Sequence, residues 1–236
     1  MCGAAVSGDA AAMQDFSAQY GVSYGFVPLG SYRLTLTLTD DGGYRYESDT
    51  DPNPLVSLFA DKRVVELSEG RWTPHGPVPR RYVQRVRKDG GWSKRVVEFG
   101  DAPRLVVDGV AQSLNTPSGA LDPAGLLLQI IHDVSAGRMA AEYKLVDEEG
   151  KVRDYRTEDL GEETVRALDR EWTTRHIRRV GGNPRYGLEV YLAPALNGLP
   201  VRIVYLDKGR RFKAVLEDVN GVEAPGAGTG AGMEPH

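Results

Sequence analysis

The chain has 236 residues, a single cysteine and a formal net charge of −4. This length suits one large β domain or two small ones, and a domain of this size folds without disulfides or metal because it removes most of its apolar surface from water. The single cysteine excludes an internal disulfide and a cysteine-based zinc site, and the acidic balance argues against nucleic acid as a partner. No apolar run approaches the roughly 18 residues that cross a bilayer, so no transmembrane segment is predicted.

The two ends of the chain lack a pattern that would bury apolar surface. Residues 1–16 are small and weakly patterned, which predicts a flexible leader. Residues 221–236 are rich in Gly, Ala and Pro, and burial by such a segment does not offset its ordering entropy, so disorder is predicted there. Residues 17–220 then form a single β-rich domain.

Between these ends the hydrophobic pattern has a period of two. Residues 33–39 place leucines on one face and threonines on the other, which is the pattern of a half-buried strand. The turn residues of 40–43 and the alternation of 44–47 complete a predicted hairpin. Further strands are predicted at 64–67, 82–87, 92–99, 139–146, 152–157, 173–180, 186–192, 199–206 and 212–219. Strands joined by short turns indicate an antiparallel meander that forms a strongly curved sheet or an open barrel.

One segment has helical spacing instead. Asp122 can cap a helix, Pro123 fits its first turn and Gly137 can end it in the left-handed conformation. A helix is therefore predicted over about 123–136, packed on the concave face of the sheet. For 162–172 the pattern leaves a second helix, a bent strand and an irregular corner open. The apolar residues of the first helix form one stripe, Leu126, Leu127, Ile130, Ile131 and Val134.

Residues with catalytic chemistry do not form a recognisable site. None of the four histidines has a two-histidine metal spacing, and ordinary polar roles are favoured for them. The sequence contains no Gly-x-Ser-x-Gly elbow and no glycine loop before a helix, so neither a serine nucleophile nor a phosphate cradle is predicted. The sequence therefore predicts no catalytic residue, no metal and no cofactor.

Two surfaces and one residue remain as candidate sites. An apolar ligand on the concave face would contact the helical stripe and the leucine strand, although the helix can equally fill the core. The residues for that contact are Leu126, Leu127, Ile130, Ile131, Leu34 and Leu36. The basic residues Arg81, Arg85 and Arg87 either lie on a solvated face or contact an anionic partner. Cys2, which precedes small residues, is either the lipidation site of a lipoprotein or a chance cysteine.

Several short motifs, taken in order, resemble the domain of unknown function 3108 family. Residues 24–32 followed by a Leu/Thr strand resemble its opening, and 121–123 begin a helix like its leucine-rich helix. The aromatic-Leu-Ala-Pro run at 191–194, followed by LPVRI at 199–203, resembles its closing signature. At 166–170 the sequence departs from relatives, which tend to have a Pro/Gly turn. The resemblance covers roughly residues 20 to 219.

The resemblance implies bacterial proteins that are usually exported to the periplasm and have no established activity. It also implies a looser similarity to curved sheets that carry lipoproteins and hold acyl chains. The first hypothesis is a non-enzymatic periplasmic binding or carrier module for an apolar or lipid-like ligand. The second is a structural module that docks on another envelope protein, and the third is a hydrolase-like enzyme with an unrecognised site. The expected location is the periplasm, or the outer membrane through a lipid on Cys2, and the cytoplasm if the chain is complete.

Overall fold

A computed structural model of the chain describes residues 13–53, 63–88 and 90–222. Fourteen strands, one α-helix and one 3₁₀ turn form the described part. In chain order they are β1 (Phe16–Tyr24), β2 (Val27–Leu38), β3 (Gly43–Pro52), β4 (Arg63–Thr73), β5 (Gly76–Lys88), β6 (Gly91–Glu98), β7 (Arg104–Val107), β8 (Val110–Ser113), α1 (Pro123–Ser135), β9 (Glu142–Val146), β10 (Val152–Ala167), β11 (Arg170–Val180), β12 (Gly187–Ala193), the 3₁₀ turn (Pro194–Leu196), β13 (Leu199–Asp207) and β14 (Arg210–Asn220).

All fourteen strands belong to one antiparallel sheet. Their order is β8-β7-β6-β5-β4-β3-β2-β1-β14-β13-β12-β11-β10-β9, so β1 pairs with β14 and joins the two halves of the chain. The sheet is open, with β8 and β9 at its two ends. The predicted antiparallel meander in a strongly curved, open sheet with one central helix is confirmed.

The sheet has two margins, because successive antiparallel strands reverse direction. The β4–β5 turn lies against α1, where Gln129 Nε2 donates to the backbone oxygen of His75 (2.9 Å). The β2–β3 turn shares this helix margin. The β1–β2 turn and the β13–β14 turn lie on the opposite margin, which we call the far margin.

The predicted strands are present, and the pattern of 33–39 is confirmed by buried Leu34 and Leu36 in β2. The strands β1, β7 and β8 were not predicted from the sequence. For 162–172 the bent strand is correct and the second helix is wrong. A β-bulge between Asp159 and Glu162 bends β10, with Gly161 at φ +89°, and the strand continues to Ala167.

Local capping signals define both ends of α1. Asp122 is the N-cap, and its Oδ1 accepts from the backbone N–H of Gly125 (2.8 Å). At the other end Gly137 has φ +65° and donates to the Val134 oxygen, while the next backbone N–H donates to the Asp133 oxygen (2.9 Å). This pair of bonds is a Schellman motif, which ends the helix at the predicted glycine.

The concave face of the sheet is filled where α1 lies against it. Leu128 and Ile131 are at most 1% exposed, and each such side chain contributes about 1.5–3 kcal/mol through burial. One core cluster joins Leu128 to β1, β2, β3 and β14, and a second joins Ile131 to β9–β12. The helix therefore holds the two halves of the sheet together.

The two ends of the sheet approach each other across a seam. Buried side chains of β5, β6 and β7 meet Val146 of β9 in a third core cluster. Leu121 bridges the seam, since its N–H donates to the Lys144 oxygen and its oxygen accepts from the Val146 N–H, both at 2.8 Å. The strand segment just before α1 thus closes part of the opening without making a continuous barrel.

Candidate functional site

A groove of about 640 Å³ lies at the helix margin, between β5, the end of β6 and segment 116–121. Its lining is largely apolar and includes Pro77, Val78, Pro79, Phe99, Pro117, Ala120 and Leu121. The backbone N–H of Phe99 donates to the Arg80 oxygen (2.9 Å), which fixes the end of β6 to β5. The backbone of Leu121 is hydrogen-bonded to β9, so the opposite wall of the groove is also fixed in position.

A β-bulge in β5 positions the cationic side of the groove. Opposite β4, the register shifts between Glu69 and Gly70, which leaves Arg80 without a partner residue. Pro79 has no N–H to give to the sheet, and a Cβ on Gly70 would lie 2.1 Å from the oxygen of Val78. The bulge therefore needs glycine at position 70, and it includes Arg80, which is exposed and lines the groove.

The charge of the groove is positive. Within the described residues Arg80 makes no ion pair, and Arg81 Nη1 lies 3.8 Å from Glu69 Oε2. The one acidic residue that lines the groove, Glu98, is paired with Arg104. Arg80 also helps to lower the pKa of Asp41 in the β2–β3 turn, after the hydrogen bonds that Asp41 accepts from Thr39 and Gly43, so its charge is partly compensated. An apolar lining beside a guanidinium that makes no ion pair suits a ligand that has an apolar body and an anionic group.

The six leucine and isoleucine residues predicted to contact a ligand lie in the packed interior. Leu34 and Leu36 belong to the first core cluster, Leu126, Ile130 and Ile131 belong to the second, and half-buried Leu127 contacts both. None of the six lines the groove. A ligand in the groove would therefore lie outside the core that they fill.

The three predicted basic contacts lie on one face of β5 but in different surroundings. Arg81 is flanked by Glu69 on β4 and Glu98 on β6. Arg85 faces Lys94 across β6, and its guanidinium lies 4.9 Å from the ring centroid of Trp92. Arg87 faces Arg63 across β4, and Arg63 is itself paired with Asp49. The three arginines therefore do not form one uniform surface: charges are balanced around Arg81, which lines the groove, and positive around Arg85 and Arg87.

The environment of His176 was not predicted from the sequence. Its Nδ1 lies 3.3 Å from Glu163 Oε2, and its Nε2, which has no hydrogen-bond partner in the described part, lies 3.4 Å from Glu189 Oε2. The ring stacks on Tyr191 with a centroid distance of 4.1 Å. These residues come from three strands, β10, β11 and β12, so no local sequence motif marks them. In the described residues no group of three metal-ligating side chains occurs.

Asp122 combines capping with complete burial. Its Oδ2 accepts from Ser68 Oγ (2.7 Å), and Ser68 Oγ lies 2.9 Å from Tyr44 Oη. Burial raises the pKa of Asp122 to about 7, against the opposing effect of the bonds from Gly125 and Ser68. The carboxyl group is enclosed by β3, β4 and α1, so it supports the helix and does not face the groove.

Two other positions lie apart from this site. Cys2 is outside the described residues, so its predicted lipidation stays a prediction. His132 lies on α1 with Nε2 3.3 Å from the Pro74 oxygen and 2.8 Å from Arg138 Nη2. Burial, and then the charge of Arg138, lower the pKa of His132. No helix in the described part is both long and apolar enough to cross a bilayer.

Comparison with solved structures shows a fold like that of a β-barrel-like protein of the domain of unknown function DUF1849 from Brucella abortus. The two share 12% identity with a TM-score of 0.60, over 89% of this chain and 99% of that one. A putative outer membrane lipoprotein-sorting protein domain from Vibrio parahaemolyticus matches with 10% identity and a TM-score of 0.27, over 89% and 86%. A DUF1329 family protein from Desulfovibrio piger matches with 11% identity and a TM-score of 0.29, over 90% and 87%.

No curated protein matches the chain. The sequence model of the family described as "Protein of unknown function (DUF3108)" matches residues 19–217, which is most of the chain and runs from within β1 to within β14. The motifs at 24–32, 121–123 and 191–203 all lie inside this match. The chain belongs to the DUF3108 family.

Proposed function

We propose that this chain is a non-enzymatic binding module of the bacterial envelope that holds an amphipathic ligand in the groove. The apolar body of the ligand lies along Pro77, Pro79 and Phe99, and its anionic group lies against Arg80. The observation that carries the proposal is the guanidinium of Arg80, which makes no ion pair within the described residues, at the edge of a mostly apolar groove. Its volume, about 640 Å³, falls in the range of roughly 300–1,000 Å³ that small-molecule sites occupy.

The position of the groove supports a ligand that exchanges. The groove is open to solvent at the helix margin, and α1 remains packed in the core when the groove is filled. Binding therefore requires no displacement of Leu126 or Ile131, whose exposure would cost several kcal/mol. An acyl chain with a carboxylate or phosphate head has the chemistry that this lining recognises.

A fluorescent fatty-acid analogue is the probe that tests the proposal. We expect the wild-type chain to enhance and saturate the fluorescence of the probe. Val78→Asp places a carboxylate at an exposed position in the lining, and Arg80→Glu reverses the unpaired charge. Each variant should weaken binding by about ten- to hundredfold. Arg80→Glu removes a charge-assisted hydrogen bond to the ligand, and Val78→Asp removes an aliphatic side chain that the bound ligand would cover.

The controls are matched in chemistry and lie outside the groove. Val110→Asp adds a carboxylate at an exposed valine of β8, and Arg166→Glu reverses an exposed arginine of β10. Both should bind the probe like the wild type. Absence of saturable binding by the wild type, or equal weakening by the controls, would contradict the proposal.

Location in the envelope is a separate part of the proposal and follows from the family resemblance. Fractionation of cells that express the natural reading frame tests it. Recovery in the cytosol alone would contradict export. Recovery in the periplasm, unchanged by Cys2→Ala, would support export and contradict the lipid anchor.

A second candidate function is docking on another envelope protein through Arg85 and Arg87. The observation that favours it is the clustering of these residues with Lys94 and Arg63 on neighbouring strands. Capture of partners from an envelope extract should fail for the double variant Arg85→Glu/Arg87→Glu. Capture that survives this charge reversal would rule out the cluster as the docking surface.

A further inference from the structure

An apolar row crosses five strands at the far margin. Direct pairing places Val27 opposite Tyr24, Tyr24 opposite Phe212, Phe212 opposite Tyr205 and Tyr205 opposite Leu188. Residues that are directly opposite in an antiparallel sheet share a face, so these five side chains form one continuous row. Tyr24 and Phe212 are in contact, with ring centroids 5.5 Å apart.

The row is largely exposed, although Phe212 is half-buried and Leu188 packs against the second core cluster. Tyr24 is 46% exposed and Tyr205 is 50% exposed, and Phe26, at the tip of the β1–β2 turn, is fully exposed at 105%. A soluble surface normally scatters such side chains singly, and a contiguous group of aromatic residues marks an interaction surface. We call Phe26 and the five residues of the row the apolar rim.

The two turns beside the rim differ sharply in charge. Residues 20–32, which include the β1–β2 turn, contain no charged side chain. The adjacent β13–β14 hairpin carries four exposed cations, Lys208, Arg210, Arg211 and Lys213. Arg210 is paired with Asp207 and Arg211 with Glu189, whereas Lys208 and Lys213 make no ion pair within the described residues. The positive charge of these two lysines lies next to the exposed aromatic side chains, although burial, and then the carboxylates of Asp207 and Glu148, raise the pKa of Tyr205.

We propose that the apolar rim docks on an anionic lipid bilayer. Aromatic side chains partition into the region between head groups and acyl chains, and lysines beside them are attracted to anionic head groups. A membrane also explains why the apolar surface is a rim on a turn-lined margin rather than a pocket: Phe26 can enter the interface while the sheet stays outside it. The rim lies on the margin opposite the groove, so this proposal does not depend on ligand binding there.

Co-sedimentation of the full chain with vesicles tests the proposal. We expect binding to phosphatidylcholine vesicles that contain about 30% phosphatidylglycerol, and much weaker binding to phosphatidylcholine alone. Phe26→Asp should lower the partition coefficient by about ten- to hundredfold, because it removes the aromatic side chain that enters the membrane interface. Lys208→Glu/Lys213→Glu should lower it by at least about thirtyfold, with little effect on neutral vesicles.

Matched controls separate the rim from general surface effects. Leu160→Asp alters another exposed apolar residue, on β10, and Arg71→Glu/Arg166→Glu makes the same change in net charge as the double lysine variant, but elsewhere. Both controls should bind vesicles like the wild type. The proposal is overturned if the wild type stays in the supernatant with anionic vesicles, or if Phe26→Asp binds as the wild type does. Vesicle binding can be present or absent whether or not the groove binds the fatty-acid probe, so the two proposals fail separately.

Discussion

Replacing Asp122 with asparagine should stabilise the fold at neutral pH and leave it unchanged in acid. The native carboxyl group has a pKa of about 7, raised first by burial, against an ordinary value of 3.8. Between these values the folded state holds a proton that the unfolded chain has lost. Stability of the wild type therefore falls as pH rises from about 4 to about 7, because ionisation is disfavoured only in the folded state.

The size of the effect follows from the difference in pKa. About 3 pKa units at roughly 1.4 kcal/mol each give up to about 4 kcal/mol, reached once the pH exceeds the native pKa. Asparagine retains the cap, since its Oδ1 can still accept from the Gly125 N–H, and it carries no charge. Its amide would donate to Ser68 Oγ, and Ser68 could then donate to Tyr44, because the bond between those two hydroxyls can run in either direction.

Urea denaturation at pH values spaced from about 4 to about 8 measures the effect. The quantity of interest is the unfolding free energy of Asp122→Asn minus that of the wild type. It should be constant in acid and rise by up to about 4 kcal/mol as the pH passes from about 4 to about 7. Asp101→Asn removes an exposed carboxylate of the β6–β7 loop and is the control. A flat difference for Asp122→Asn, or one that falls with pH, would refute the reasoning.

Three further substitutions test the packing and the turns. Ile131→Asp should cost at least about 4 kcal/mol or prevent folding, because it buries a charge in the second core cluster; a cooperative urea transition close to that of the wild type would count against the packed core. Gly70→Ala should destabilise by at least about 1 kcal/mol, because the new Cβ meets the Val78 oxygen. Gly91→Ala is the control, because its Cβ would make only an ordinary contact of 3.8 Å with the Lys88 oxygen, and equal unfolding free energies for the two variants would disprove the strained bulge. Asp169→Gly should stabilise by about 0.5–1 kcal/mol, because Asp169 has φ +58° in the β10–β11 turn, and a lower melting temperature would contradict this.

Much of the fold was predictable because local patterns and the final packing agree. The alternation around Leu34 and Leu36 and the capping residues Asp122 and Gly137 each specify an element without reference to distant residues. By contrast, β7 and β8 are four residues each, which is too short for a periodic pattern to stand out. The structure of 162–172 was not predicted for a different reason. Its turn uses Leu168 and Asp169 at positive φ, where glycine or asparagine would have indicated a hairpin.

The candidate site was much less predictable. Arg81 was identified as a candidate from its basic surroundings, but the groove depends on a bulge at Gly70 and on Leu121 pairing with a strand more than twenty residues later in the chain. The leucine and isoleucine stripe marked a core, and an apolar pattern in a sequence does not distinguish a filled core from a ligand cavity. The apolar rim could not be predicted from the sequence, because Tyr24, Phe212 and Tyr205 become adjacent only through the pairing of β1 with β14 and of β14 with β13.

Native mass spectrometry of the chain, after incubation with an envelope lipid extract, is the most direct test of ligand binding in the groove. We expect the wild type to carry an additional mass that corresponds to an amphipathic molecule with an anionic group. Val110→Asp should retain that mass and Val78→Asp should lose it, because only Val78 lines the groove. A wild-type chain that carries no additional mass, or a Val78→Asp variant that retains it in full, would contradict a ligand site between β5, β6 and segment 116–121.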